Sequence, residues 1–367
     1  MTLTEISAGE IRVPLTVPFK TAVRTVDHMH SLILTVKTDD GRTGWGEAPA
    51  TAVITGDLID SMRAGLAVLA PRLIGRDLGD FNACLNDVES GLAHHSSLKA
   101  ALEMALFDLR AQAFGVPLYQ LLGGGKPQLK TDVTISVNDI DSMVADSRRA
   151  VAAGFDALKI KTGGRDWRID VDAVRAIHAA VGPNVALRVD ANQGWSPKAA
   201  VAALGAIAAA GIDVEFVEQP VKADDLAGLK FVTDHVAAPV LADEAVFSVK
   251  DALAVLSSGS ADILNIKLMK TGGLLQAIEI ARLARRHHRP CMIGCMLEGV
   301  ISVTAAAHFA AAYADVVTLV DLDGPALCRE RRVRGGLVME GPWITLPQSP
   351  GLGIEAVDGM EKAQSFR

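Results

Sequence analysis

From Thr131 to Val320 the sequence repeats one alternation. Apolar, β-rich runs occur at Thr131–Val137, Ala157–Ile160, Val185–Val189, Val214–Val217, Val240–Ala242, Ile263–Ile266, Cys291–Ile293 and Val316–Val320. Alanine-rich stretches of helical character separate them: Ile140–Ala153, Trp167–Val181, Pro197–Ala210, Asp225–His235, Val249–Ser257, Gly273–Arg286 and Val300–Ala314. Strands alternating with helices at this spacing build parallel βα units. Eight strands and seven intervening helices predict an α/β fold, with a closed barrel favoured over an open sheet.

The chain before this repeat is patterned differently. Ile6–Val13, Ser31–Thr38 and Thr43–Glu47 read as an antiparallel meander, with a turn at Asp39-Asp40-Gly41. Helical segments follow at Asp57–Ala70, Phe81–Ala93 and Ser97–Phe114, and Gly123-Gly124-Gly125-Lys126-Pro127 reads as a linker. The segment Ile344–Arg367 is expected to return to this first unit. The expected division is therefore an α+β domain of residues 1–125, completed by 343–367, and a barrel of residues 126–342.

Composition narrows the partners. The 367 residues are half apolar, enough for a large core in more than one domain. With 36 basic and 43 acidic residues the net charge is −7, which argues against nucleic acid or an anionic membrane as partner. The first residues show no signal-peptide pattern, and the apolar runs are too short to cross a bilayer. Cys84, Cys291, Cys295 and Cys328 form no CxxC pair, and Cys291 and Cys295 with His287 and His288 lack zinc-site spacing. A reduced, cytoplasmic setting is expected.

Chemistry is carried by the strand ends. In a barrel the carboxyl ends of the strands meet in one pocket. Reading them in turn gives Lys161, Asp190, Glu218, Asp243, Lys267 and the pair Asp321/Asp323, in steps of 29, 28, 25, 24 and 54 residues. Each of the first four steps is one βα unit, and the last is two. Asp190, Glu218 and Asp243 close adjacent strands, and three neighbouring carboxylates call for a cation; all-oxygen ligands favour Mg²⁺.

Lys159 and Lys161 share one side of the second strand, where like charges are expected to lower each other's pKa. Lys161 and Lys267 close the second and sixth strands, half a circumference apart. A substrate carboxylate on the metal would hold its α-carbon between these amines. One lysine would take the α-proton and the other return it on the opposite face, which is a 1,1-proton transfer. Asp321 and Asp323 read most sharply as a receptor for a cationic group on the substrate; a second metal site or a helix cap are the alternatives.

Assembled, these residues resemble the enolase superfamily, in its muconate-lactonizing-type subgroup, and most closely its dipeptide epimerases. The resemblance rests on Lys159-Ile160-Lys161, Asp190 in Val-Asp-Ala-Asn-Gln-Gly-Trp, Glu218 in Val-Glu-Gln-Pro, Asp243 in Ala-Asp-Glu-Ala and Lys267 in Asn-Ile-Lys-Leu-Met-Lys. It implies a modified (β/α)7β TIM-type barrel under an α+β capping domain. It also implies Mg²⁺-dependent epimerisation of the C-terminal residue of a dipeptide, of the Ala-Glu type. In this family the residues matching Lys161 and Lys267 are the acid/base pair, and the one matching Lys159 supports the first.

The residues matching Asp321 and Asp323 bind the substrate's α-ammonium, and the one matching Arg24 pairs with a glutamate side chain. Glu298, in the loop Met296–Val300, is a further substrate-binding candidate, and Val300 stands where a longer polar side chain is expected. Glu47 in Gly-Trp-Gly-Glu reads as structural, Lys270 as a capping charge, and Glu244, Asn192 and Gln193 as supports for the metal ligands. A symmetric homo-oligomer is also implied. The alternatives are a cycloisomerase or o-succinylbenzoate synthase-like lyase of the same fold, or a non-catalytic metabolite-binding barrel.

Overall fold

The computed structural model describes residues 1–21 and 24–367. The first unit is a four-stranded antiparallel sheet in the order Glu361–Phe366, Leu3–Lys20, Thr25–Thr38, Thr43–Pro49. Over residues 11–14 the first strand alternates: Ile11 and Val13 are buried while Arg12 and Pro14 are exposed. The face with Ile11 and Val13 turns towards Val300 and residues 325–341, and the opposite face, with Gly44 and Gly46, lies on the helix Ser96–Phe114. Contact is close because small residues meet: a Cβ at Gly46 would stand 1.9 Å from the Ala101 carbonyl oxygen.

Eight parallel strands follow in chain order around one sheet: Val133–Ile135, Ala157–Lys161, Ala186–Asp190, Val214–Glu218, Val240–Ala242, Ile263–Ile266, Cys291–Gly294 and Val317–Asp321. The first is shorter than the apolar run Thr131–Val137, because Thr131 and Asp132 are used at the seam with the eighth. There the Asp132 amide donates to the Val320 carbonyl (3.4 Å) and the Leu322 amide to the Thr131 hydroxyl (2.8 Å). Arg188 reaches across the barrel interior to the Asp132 carboxylate (2.7 Å) and the Val320 carbonyl (3.1 Å). Below it Phe216, Leu241, Ile263 and Met292 fill the barrel, so the interior is packed and only its carboxyl end is open to ligands.

The returning C-terminal segment divides its pairing. Trp343–Thr345 lies between Val338–Glu340 and Gln128–Lys130, and Ile354–Val357 pairs with Val333–Gly335. Glu361–Phe366 adds to the first sheet. Among the described residues no helix is long and apolar enough to cross a membrane, and the four cysteines are free.

One buried histidine makes the fold acid-sensitive. His308 Nδ1 accepts the Tyr119 amide (3.0 Å), and its ring stacks on Tyr119. Burial holds its pKa down at about 3. The unfolded chain therefore takes up this proton near pH 6.5 while the folded chain does not. Stability is lost as pH falls below about 6.5 towards 3. His308→Asn should flatten this part of the profile, as read by urea midpoints between pH 4 and 7.

Candidate active site

The side chains at the carboxyl ends of the strands face inward because strand residues alternate, so Arg188 and Asp190 point into the barrel while Val189 meets the helices. Register aligns three of them: Lys161 pairs in the ladder with Asp190, and Asp190 with Glu218. Lys161 Nζ donates to Asp190 Oδ2 (2.5 Å), and Lys267 Nζ donates to Asp243 Oδ2 (2.7 Å). Asp190 Oδ1 accepts the Asn192 amide (2.8 Å). Glu218 Oε1 accepts from Asn265 Nδ2 (2.7 Å), while its Oε2 is buried with no hydrogen-bond partner.

Lys159 departs from expectation. It donates to Asp321 and lies 3.9 Å from Glu218 Oε2. Burial disfavours its charge, but Asp321, Glu218, Asp132 and Asp190 outweigh burial and lift its pKa above the ordinary lysine value. Lysine–lysine repulsion thus does not set the state of Lys159. Lys267 is likewise held charged: Asp243 and Glu218 overcome burial. Glu218 is pushed the other way, towards the neutral acid, by burial and by the Asp190 charge.

Lys270 does not act as a simple capping charge. Its side chain is fully buried and donates to the Asp243 carboxylate (2.6 Å) and to the carbonyls of Asp243 and Asn265. Asp243 therefore has a lysine on each oxygen. Lys267 and Lys270 outweigh burial and hold the Asp243 carboxyl well below the usual carboxylate range.

Asp190 and Asp243 are each turned onto lysines, and among the described residues no three acids close on one point. The donor set nevertheless suits Mg²⁺: three carboxylates on consecutive strands, with one buried oxygen of the middle acid unpartnered. A cation there would also relieve the repulsion that pushes Glu218 towards protonation.

One cavity gathers both lysine faces. Lys159, Lys161, Asn192, Asp243, Glu244, Lys267 and Asp323 line it from the barrel, and Phe19, Thr21, Arg24 and Ile54 from the first domain. Asn192 Nδ2 donates to Glu244 Oε1 (3.3 Å), tying the third and fifth strand ends. Gln193 instead accepts the Ala223 amide (3.0 Å). Arg24 sits at the lip, and among the described residues no acid pairs with it; burial lowers its pKa. The middle of its loop, Ala22 and Val23, lies outside the described residues.

Beyond Asp190, Glu218 and Asp243, at the end of the eighth strand, Asp323 Oδ2 accepts the Thr134 amide (2.7 Å). Asp321 spends Oδ2 on Lys159, and its buried Oδ1 has no partner. Two buried carboxyls with one free acceptor oxygen form an acidic recess: Lys159 and Lys267 outweigh burial and keep Asp321 ionised, while burial and the Asp321 charge push the Asp323 carboxyl up.

Glu298 does not line this cavity. It is buried, its Oε1 accepts the Met296 amide (2.6 Å), and burial pushes its pKa up to about 7. Met296 and Leu297 form the wall instead. Val300 faces a separate, larger cavity, about 420 Å³, between the first sheet and residues 325–341. That cavity contains none of the strand-end acids or lysines.

Residues 4–123 match the family described as mandelate racemase / muconate lactonizing enzyme, N-terminal domain, and residues 142–359 match enolase C-terminal domain-like. The chain is 46% identical over 359 residues to an L-Ala-D/L-Glu epimerase of Clostridium acetobutylicum, covering 98% of this chain and 100% of that one. It is 47% identical over 355 residues to the L-Ala-D/L-Glu epimerase of Bacillus subtilis, covering 96% and 97%. The substrate-liganded structure of the Bacillus subtilis enzyme superposes with a TM-score of 0.95 over 99% of this chain and 100% of that one. A dipeptide epimerase of Enterococcus faecalis, complexed with Mg and L-Leu-L-Tyr, is 37% identical and superposes with a TM-score of 0.94, covering 97% and 100%.

Proposed function

The chain belongs to the mandelate racemase / muconate lactonizing enzyme family of the enolase superfamily, and on that premise we propose that it is a Mg²⁺-dependent dipeptide epimerase, acting on L-Ala-D/L-Glu or a close analogue. The observation that carries this is the pair Lys161 and Lys267, on the second strand and at the end of the sixth of eight, lining one cavity and bonded to Asp190 and Asp243 at strand ends between them. The relatives named for epimerisation of L-Ala-D/L-Glu support it. Residues 1–125 with the strand Glu361–Phe366 act as the cap, and the βα units from residue 126 as the catalytic barrel.

Asp190, Glu218 and Asp243 would hold Mg²⁺, which when bound neutralises the charge that builds on the substrate carboxylate as the adjacent carbon loses its proton. Lys161 and Lys267 do the proton work. The neutral one removes the α-hydrogen from its side and the charged one delivers a proton from the other, so the centre inverts. Lys159, held charged between Asp321 and Glu218, fixes the floor beneath Lys161. Asp323 and the free oxygen of Asp321 receive the dipeptide's α-ammonium across the barrel. Arg24 at the lip meets the carboxylate side chain of the residue being inverted.

A dipeptide library incubated in D₂O tests the proposal, with mass spectrometry reading α-deuteration. Uptake should concentrate in dipeptides with a free amino terminus and an acidic C-terminal residue; uptake in none would overturn it. Asp323→Asn separates this reading from a lyase of the same fold. It should raise the KM for the dipeptide by about ten- to a hundredfold, the worth of a charge-assisted contact of roughly 1.5–3 kcal/mol. An unchanged KM would favour the lyase, which needs no ammonium receptor.

A further inference from the structure

Among the described residues, five of the seven long helices that follow barrel strands start with their own cap. Asp139, Asp166, Ser196, Asp225 and Ser248 each accept a backbone amide of the first turn, as N-cap residues do. The sixth and seventh helices, Leu274–Arg286 and Val300–Ala312, begin instead at Gly273 and Gly299, which have no side chain to offer.

Both ends are satisfied from the capping domain. Glu103, on the helix Ser96–Phe114, accepts the Leu275 amide at Oε2 (3.0 Å). Glu47, at the end of the first meander, accepts the Gly299 amide at Oε1 (2.8 Å) and the Ile301 and Ser302 amides at Oε2 (3.2 and 3.3 Å). Each carboxylate thus stands where a local Asp or Ser would, at the positive end of a helix. Glycine is what admits it: a Cβ at Gly273 would lie 2.2 Å from Glu103 Oε2, and one at Gly299 2.5 Å from Glu47 Oε1.

The two segments so anchored carry the site. Between Lys267 and Gly273 runs one buried turn, Leu268–Thr271, whose Lys270 grips Asp243. Between the seventh strand and Gly299 lie Met296 and Leu297, which wall the cavity. We propose that Glu103 and Glu47 are positioning residues, which cap two barrel helices from the other domain and thereby fix Lys267 and the Met296–Leu297 wall against the substrate. The barrel's chemistry is then incomplete without its cap, even where the cap does not touch the ligand. This rests on the two-lysine reading above.

The test uses the full-length enzyme with Mg²⁺ in D₂O, and follows α-hydrogen exchange separately from each epimer of the best dipeptide. The epimer deprotonated by Lys267 is identified as the one that still exchanges in Lys161→Met. Glu103→Leu should slow that epimer's exchange by roughly tenfold to a hundredfold, the cost of a displaced catalytic group, and leave the other epimer within about twofold. Glu103→Gln, which keeps an acceptor oxygen at the same reach, should restore it. Glu103→Asp, one methylene shorter, should show the same one-sided loss and serves if Glu103→Leu does not fold. Glu47→Leu should raise the KM without changing the ratio of the two exchange rates. Equal slowing of both epimers by the Glu103 variants would reduce Glu103 to a structural contact and overturn the positioning role. Failure of the wild type to release the α-hydrogen of one or other epimer to solvent would instead overturn the two-lysine reading itself.

Discussion

Lys161→Met and Lys267→Met should each lower epimerisation by about 10²–10⁴-fold, the usual cost of removing a general acid or base. The two losses should differ in kind. With Lys161 gone, Lys267 can still remove the α-hydrogen that faces it and return deuterium to the same face. One epimer then exchanges without inverting, and the other does neither. With Lys267 gone the epimers change places. Methionine suits the test because it keeps the length of the buried chain and deletes only the charge. Each lysine is buried on an acid, Lys161 on Asp190 and Lys267 on Asp243. Either substitution therefore also strips a partner from a carboxylate, which circular dichroism and Mg²⁺ titration would reveal. Mirror-image exchange in the two variants cannot come from general damage, which would slow both epimers alike.

Glu218→Gln should cost roughly 10³-fold in kcat/KM, because a cation that stabilises developing charge is worth several kcal/mol. Glu218 is the middle of the three acids and the one with a buried oxygen that nothing satisfies. Glutamine keeps the oxygen that receives Asn265 and removes the charge at the other. The fold without Mg²⁺ should therefore tolerate the change, while Mn²⁺ binding followed by electron paramagnetic resonance should weaken sharply. Asn265→Leu should fall between, at about 10–100-fold in metal affinity, since it only orients the ligand. Wild-type Mn²⁺ affinity in Glu218→Gln would remove Glu218 from the metal site.

The barrel was legible because buried parallel strands read as near-continuous apolar runs. All eight runs became strands, and the acids and lysines at their ends kept phase with the βα period. What one chain segment does to a distant one was not legible. Lys159 looked like one of two mutually repelling amines; its partner Asp321 lies on the eighth strand, brought near only by closure of the barrel. Lys270 follows Lys267 by three residues and read as a capping charge, yet it sits in a buried turn and pairs with Asp243. Asn265 could have been found, because it sits two residues before Lys267 on the same side of a strand. Gly273 and Gly299 gave no cap signal, as their caps come from Glu103 and Glu47 in the other domain. Glu298 carries a charge in a loop beside the site, but the loop turns that charge onto its own backbone.

One measurement bears most directly on the opposed lysines. Each pure epimer of the preferred dipeptide is given to the wild-type enzyme in D₂O, and the reaction is stopped within the first few per cent of turnover. Two bases on opposite sides predict that the new epimer carries one deuterium at the α-carbon while the remaining starting epimer is still protiated, from either direction. A product that keeps the substrate's own hydrogen, or equal labelling of product and starting material, would mean that a single group serves both faces.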